Sequence, residues 1–261
     1  MKISVITVSF NAGNKLIETV SNTLKQTADN FEVIIKDGGS TDGSVEKVQA
    51  LKDERVKIYV TPDKGIYDAM NEAVGYAEGD FVIFMNAGDV FFDDDVLHRI
   101  ETMGLPTENT IAYGDTYFVK YASLSKAPAR ITGSVCYRNI PCHQAIFYSR
   151  DVLLKRKFDI SYKIRADFEH FNYCFFKGGC TFKYLGFPVC LYEGGGYSET
   201  KKNRERDKEE YKRAVRANIP ASKRFIYRAQ LILTLHKLRK ALSENPKTAA
   251  FYQRLKEKIR G

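Results

Sequence analysis

Residues 62–89 read PDKGIYDAMNEAVGYAEGDFVIFMNAGD, and this stretch decides the fold. Residues 63–65 open a helix over residues 66–77, and residues 81–85 follow as a nearly all-apolar run, the mark of a strand buried on both faces. The run ends at Asn86-Ala87-Gly88-Asp89. Outward from it, the first half repeats the same unit. Residues 3–9 are apolar and β-branched, ending at the turn signal Asn11-Ala12-Gly13-Asn14; residues 15–26 carry Leu16, Val20 and Leu24 on one helical face. Residues 31–36 and 56–60 are strands, and residues 44–51 the helix between them. Repeated βα units with continuous apolar strands predict a parallel sheet covered by helices on both sides.

The second half is less regular. Strands are expected at 110–113, 116–121, 144–148, 181–185 and 189–192, a helix at 164–177, and a loop over 122–139. Glu193-Gly194-Gly195-Gly196 is the expected boundary between a first domain, 1–192, and a helical tail, 193–261, with helices at 201–217, 222–243 and 248–259.

Composition narrows the class. A hydrophobic fraction of 44% with 28% charged residues is that of a folded globular protein. No apolar run approaches the ~20 residues that span a bilayer, and MKISVITVSFN reads as a buried strand rather than a signal peptide. Five cysteines, with no C-x-x-C pair, form neither an even disulfide framework nor a zinc site and fit a reducing cytoplasm. The net charge of +9 is unevenly placed: from Lys201 onward there are 19 Lys+Arg against 6 Asp+Glu, while the preceding residues hold 22 against 26. Such a basic block suggests an anionic partner surface.

In parallel α/β sheets ligands bind at the carboxyl ends of strands. That rule selects Asn11, the segment Asp37–Asp42, and Asn86 to Asp89. No G-x-x-x-x-G-K-[ST] and no G-x-G-x-x-G follows a strand, which disfavours P-loop and dinucleotide-binding chemistry. A nucleotide diphosphate would then be neutralised by Mg²⁺ or Mn²⁺, cations that bind through one or two carboxylates plus substrate phosphates. Asp89 could supply one, although Asn-Ala-Gly-Asp is also an ordinary turn. The Asp37–Ser44 loop brings backbone close to a ligand through its glycines, or is simply a turn capped by Asp42 or Ser44. Asp68 and Asn71 share a helical face that carries base or ribose contacts, or a solvated first turn.

Taken together, ISVITVSFN, IIKDGGSTDGS and PDKGIYDAMNEAVGYAEGDFVIFMNAGD resemble, in order, spacing and strand-end placement, the family 2 glycosyltransferases of the GT-A fold, over roughly residues 1–95. The nearest flavour is the bacterial enzymes that build exopolysaccharide, colanic acid or O-antigen units. The resemblance implies an α/β GT-A domain with a mostly parallel central sheet, a nucleotide-sugar donor, UDP-sugars favoured, and a glycan or lipid-linked acceptor. It places Phe10 against the base, with Asn11 beside it, Asp37 as acceptor from the base, and Asp68 near the nucleoside. Asp89 stands for the metal-binding last carboxylate of the family's DxD motif, although Asn86 and Gly88 occupy positions where many relatives carry Asp. The family's general base falls in Ile164-Arg165-Ala166-Asp167-Phe168-Glu169; Asp167 is the first choice and Glu169 the reserve. His143 faces the acceptor or the donor phosphates, or is structural.

A nucleotidyltransferase on a related scaffold would show a basic glycine-rich loop after the first strand, which Ser9-Phe10-Asn11-Ala12-Gly13 does not supply. A nucleic-acid-binding protein using the basic tail has no need of strand-end carboxylates, so no nucleic acid is expected as partner. The tail helix at 222–243, with an apolar arc from Ala229 to Leu235 between basic ends, suits the inner face of an anionic membrane, or packing on the enzyme or on a second subunit of a homo-oligomer.

Overall fold

The structure, a computed structural model, describes residues 1–193 and 203–233, together with Leu242, Ser243, Asn245 and Thr248. Four parallel strands form its N-terminal half: β1 (Ile3–Ser9), β2 (Phe31–Asp37), β3 (Val56–Val60) and β4 (Phe81–Phe84), in the spatial order β3-β2-β1-β4. Helices α1 (Asn14–Leu24), α2 (Ser44–Gln49) and α3 (Ile66–Tyr76) connect them. Each strand splits its side chains between two cores, because neighbouring residues face opposite sides of a sheet. Ile3 and Val5 pack with Leu16 and Val20 of α1, whereas Ile6 and Val8 pack with Met70 and Ala73 of α3.

The second half departs from parallel pairing. Strand β8 (Ile146–Ser149) runs antiparallel to both its neighbours, β4 and β6 (Thr110–Phe118). Strand β9 (Thr181–Tyr192) is parallel to β6, and the short β5 (Val90–Phe91) closes the far edge antiparallel to β9. Each of β6 and β9 is one strand where the sequence suggests two, and the register between them shifts around Gly114. A side chain there would press Val189 Cγ2 at 2.6 Å and the Phe187 carbonyl at 2.7 Å, so only glycine lets the strands pass.

The expected loop over 122–139 contains two elements, β7 (Ser123–Ser125), paired with the end of β6, and α5 (Gly133–Arg138), capped by Thr132. They are short, and their pattern falls below what periodicity resolves. Helix α4 (Val96–Thr102) follows β5, α6 (Arg150–Lys155) follows β8, and α7 (Ala166–Phe176) lies where the sequence places its mid-chain helix.

Beyond residue 202, α8 (Arg204–Asn218) joins the first core through Ala214, Val215 and Ile219, and Glu210 accepts the backbone N–H groups of Lys163, Ile164 and Arg165. Helix α9 (Ala221–Leu233) packs beside α5. Residues 194–196 of the expected boundary, residues 234–241 of the helix expected at 222–243, and residues 249–259 of the helix expected at 248–259 lie outside the described residues.

Candidate active site

Two clefts open at the carboxyl ends of the parallel strands. One, of about 780 Å³, is lined by Asn86, Asp89, His143, Gln144 and Asp167, with Lys15 and Arg138 also on its wall. The second, of about 640 Å³, is lined by Phe10, Asp63, Asp68, Tyr162 and Arg206. Ile66, Tyr67 and Lys163 line both, so one continuous depression runs from Phe10 to Asp89.

In the second cleft, Phe10 stands 66% exposed at the end of β1, an uncommon position for a phenylalanine and a ready stacking platform. Asn11 sits beside it with positive φ, and its side chain accepts the Thr41 N–H at 3.0 Å, tying this turn to the loop after β2. Asp68, on the first turn of α3, accepts the Lys64 N–H at 2.9 Å. Asn71 is spent on the scaffold: it exchanges two hydrogen bonds with the Phe158 backbone, each 2.9 Å.

Asp37 is fully buried and lines neither cleft. One carboxylate oxygen accepts the N–H groups of Gly39 and Ser40, at 2.9 and 2.6 Å, and the other the Ser40 hydroxyl at 2.6 Å. In this structure the Asp37 carboxylate is engaged by the 38–40 turn rather than presented to either cleft. Asp63 does reach the second cleft, alongside Asp68. It lies 3.4 Å from the ammonium of Lys36, which is itself fully buried and donates to the Thr61 carbonyl at 2.7 Å. A Cβ on Gly38 would stand 2.9 Å from Asp63 Oδ2 and 3.2 Å from Phe10, so the glycine keeps this corner open. The turn before α3 gave no sign of this, because Asp63 is fixed by a lysine from another strand.

In the first cleft, Asp89 ends the turn after β4. Its backbone N–H donates to the Asn86 carbonyl at 2.8 Å, and its Oδ2 accepts from Gln144 Nε2 at 3.0 Å. Burial raises its pKa to about 6, against the opposing pull of the Gln144 hydrogen bond and of Lys15. Asn86 Oδ1 is buried without a hydrogen-bond partner. Gln144 is a residue the sequence reading took only as the start of a strand; it is set by Cys142, whose thiol donates to Gln144 Oε1 at 2.9 Å. The short helical turn His143–Ala145 brings these residues under β4.

His143 stacks on Phe84, ring centroids 5.2 Å apart, and neither ring nitrogen has a hydrogen-bond partner. Burial lowers its pKa, and the Asp167 carboxylate, 4.0 Å from Nδ1, opposes this. Asp167, in the first turn of α7, receives the Tyr67 hydroxyl at 2.9 Å on Oδ1. Glu169, the reserve candidate, is not in the cleft. It is buried, both its oxygens accept from Arg156 Nη2 at 2.8 Å, and Asn218 Nδ2 donates to Oε1 at 2.9 Å. Two residues along a helix turn a side chain by about 200°, which sends Glu169 into the packing of α6, α7 and α8.

Among the described residues, no group of three or more His, Cys, Asp and Glu side chains is arranged to hold a metal ion unaided. The donor set at Asp89 suits a cation that takes its remaining ligands from a substrate: one carboxylate in a partly desolvated cleft, which the Asn86 side chain, its amide Oδ1 unpartnered, also lines.

The sequence profile named "Glycosyl transferase family 2" matches residues 4–177. A "PGL/p-HBAD biosynthesis glycosyltransferase" of Mycobacterium bovis is 29% identical over 203 residues, covering 76% of this chain and 79% of the relative. The "UDP-Glc:alpha-D-GlcNAc-diphosphoundecaprenol beta-1,3-glucosyltransferase" of Escherichia coli is 30% identical over 141 residues, covering 52% of this chain and 55% of that protein. Among solved structures, a mannosyltransferase from Pyrobaculum calidifontis, in complex with GDP-Man and Mn²⁺, superposes with a TM-score of 0.64 over 96% of this chain and 73% of its own, at 20% identity. At that identity the likeness establishes the fold.

Proposed function

The chain belongs to glycosyl transferase family 2, and on that premise we propose that it transfers a sugar, with inversion, from a nucleoside diphosphate carrier to a hydroxyl of a lipid-linked glycan. It is a glycosyltransferase of GT-A-like fold acting in cell-surface glycan synthesis. The observation that carries the finer reading is the opening of Asp89 and Asp167 into one cleft that runs on, past Tyr67, to Phe10 and Asp63.

In this reading the base lies against Phe10 and hydrogen-bonds to Asp63, and Asp68 meets the ribose. The diphosphate extends past Tyr67 toward Asp89, where Lys15 adds positive charge. Asp89, with the side-chain amide oxygen of Asn86, would hold Mg²⁺ or Mn²⁺; such an ion, when bound, supplies charge stabilisation to the departing diphosphate. Support comes from the raised pKa of Asp89, which a bound cation would reverse, and from the Mn²⁺ of the mannosyltransferase complex. Asp167 Oδ2 takes the acceptor hydroxyl proton. The hydroxyl oxygen bonds to the anomeric carbon as the bond to the diphosphate breaks. Tyr67 holds the other oxygen of Asp167, orienting the base. His143, kept neutral by burial, walls the space beside it without adding a charge.

UDP-sugars are the favoured donors, in line with the name of the E. coli relative. That name also supports a lipid diphosphate acceptor, for which Lys126, Arg138 and Lys163 give the cleft a basic wall. No helix among the described residues is long and apolar enough to cross a membrane. In this reading the enzyme meets its lipid-linked acceptor at the inner membrane face. Transfer from a panel of UDP- and GDP-sugars to a membrane extract, with Mn²⁺ or EDTA, tests the proposal. Activity should require the metal and fall by about a hundredfold or more in Asp167→Asn. Full activity of that variant would remove Asp167 from the chemistry.

A further inference from the structure

Helix α9 carries two faces of opposite kind. Arg224, Tyr227 and Leu231 are half-buried, and Tyr227 packs on Tyr137 of α5 with ring centroids 5.9 Å apart. On the other side Phe225, Ile226, Ile232 and Leu233 are 76%, 51%, 68% and 81% exposed. Those four lie one, seven and eight positions apart, a spacing that gathers them into a single outward stripe. The structure thereby redraws the apolar arc that the sequence suggests: Leu231 turns inward, and Phe225 and Ile226 extend the exposed face at its N-terminal end.

Four large apolar side chains so exposed on one helix mark an interaction surface. We propose that this stripe seats α9 in the outer layer of an anionic lipid bilayer and sets the acceptor cleft at the membrane surface. This rests on the reading of the acceptor as lipid-linked. Two observations choose lipid over a protein partner. The first is charge: Lys223 and Arg228 are exposed on the same helix, and the chain from Lys201 onward carries 19 Lys+Arg against 6 Asp+Glu. Basic residues flanking an apolar stripe match lipid phosphates above acyl chains, at about fivefold in affinity per basic residue that reaches the surface.

The second is continuity with the site. Helix α5, against which α9 packs, contributes Val135 and Arg138 to the catalytic cleft. The contact is close: a Cβ on Gly133 of α5 would stand 2.0 Å from the Tyr227 hydroxyl. A bilayer touching the outer face of α9 is therefore one helix away from the cleft wall, where the head group of a lipid-linked acceptor would enter.

The test is co-sedimentation of the full chain with vesicles of phosphatidylcholine alone or mixed with phosphatidylglycerol, alongside UDP and GDP binding by calorimetry in the absence of lipid. The wild type should sediment with the mixed vesicles only, and less at high salt. Phe225→Glu with Ile232→Glu should lower partitioning at least tenfold, as should the milder pair Phe225→Ser with Ile232→Ser. Both should keep the wild-type melting temperature and UDP affinity, since these side chains support no core. Binding unchanged in either folded pair, or no vesicle binding by the wild type, overturns the proposal. So does a wild-type dimer that either pair converts to monomers, which would make the stripe a contact between copies of this chain. Failure to bind either UDP or GDP refutes the nucleotide-sugar reading instead, and leaves the vesicle result to stand or fall separately.

Discussion

The hydroxyl of Tyr67, on α3, lies 2.9 Å from Oδ1 of Asp167 and 2.8 Å from the carbonyl of Ile164, in the sharp turn that precedes α7. Tyr67 is almost wholly buried, and burial, followed by the Asp167 charge, holds its pKa well above the ordinary range. It stays a neutral donor across the working pH. Its single proton ties the helix that borders the Phe10 cleft to the carboxylate proposed as base.

Two variants separate orientation from proton transfer. Asp167→Asn should lower the transfer rate by about a hundredfold or more, the scale of losing a general base, with nucleotide affinity little changed. Tyr67→Phe keeps the ring and loses only the donor, so a loss of roughly tenfold in kcat with unchanged donor KM is expected. Steady-state kinetics at saturating donor measures both. Equal losses in the two variants would mean that Tyr67 does more than orient.

At Asp89 the linkage has a definite sign. Its folded pKa, about 6, stands above the ordinary 3.8, so the neutral form is favoured in the fold. That contribution to stability is complete below pH 3.8 and is lost as pH rises through about 6. At pH 7.5 the buried charge therefore costs stability, on the order of 1–3 kcal/mol, and Asp89→Asn should raise Tm by several degrees, with no gain at pH 4. The same substitution should abolish the metal dependence of UDP binding. In the wild type that dependence should weaken by about tenfold per pH unit below pH 6, as protons compete with the cation. A Tm equal to wild type at pH 7.5 would show that Asp89 is solvated after all.

Gln144 connects Asp89 to Cys142 in a short chain of hydrogen bonds, 2.9 Å and 3.0 Å. It holds Oδ2 of Asp89 in place. Partners of this kind are worth about 10–100-fold in metal affinity. Gln144→Leu should thus weaken Mn²⁺-supported UDP binding by at least tenfold, leave metal-free binding unchanged, and shift the pH at which binding falls off. Cys142→Ser, which keeps a donor, should bind like the wild type. Calorimetry at several pH values reads all three.

The parallel half of the sheet was legible because strands buried on both faces read as unbroken apolar runs; Asp89 and Asn86 were selected because they directly follow such a run, and both line the first cleft. Residues 110–193 were harder: β8 and β9 pair across long sequence separations, and α5 spans only six residues. Asp167 was selected by family resemblance, not by pattern. The residues missed are those whose role depends on a distant partner. Tyr67 acts on a side chain one hundred positions away, Gln144 on one fifty-five positions away, and Asp63 is fixed by Lys36. The burial of Asp37 escaped notice for the same reason: a strand-end carboxylate can face a ligand or fold back on its own turn, and only tertiary packing decides.

The contrast between Asp167 and Glu169 offers the sharpest check on the site. Glu169 is 4% exposed, is gripped by Arg156, and accepts from Asn218, so it joins α7 to the segment after α6 and to α8. Neutralising it leaves the guanidinium short of its counter-charge. A fully buried pair loses about 3–5 kcal/mol when one partner is removed; the Arg156 side chain keeps 26% of its exposure, which brings the expected cost of Glu169→Gln to about 2 kcal/mol. In a chain of this size that lowers Tm by about 4–8 °C, while kcat of the folded enzyme stays within a few-fold of wild type. Asp167→Asn should do the reverse, sparing stability and removing turnover. If Glu169→Gln is the inactive variant at full stability and Asp167→Asn turns over normally, the base lies two residues further along the helix and the cleft assignment is wrong.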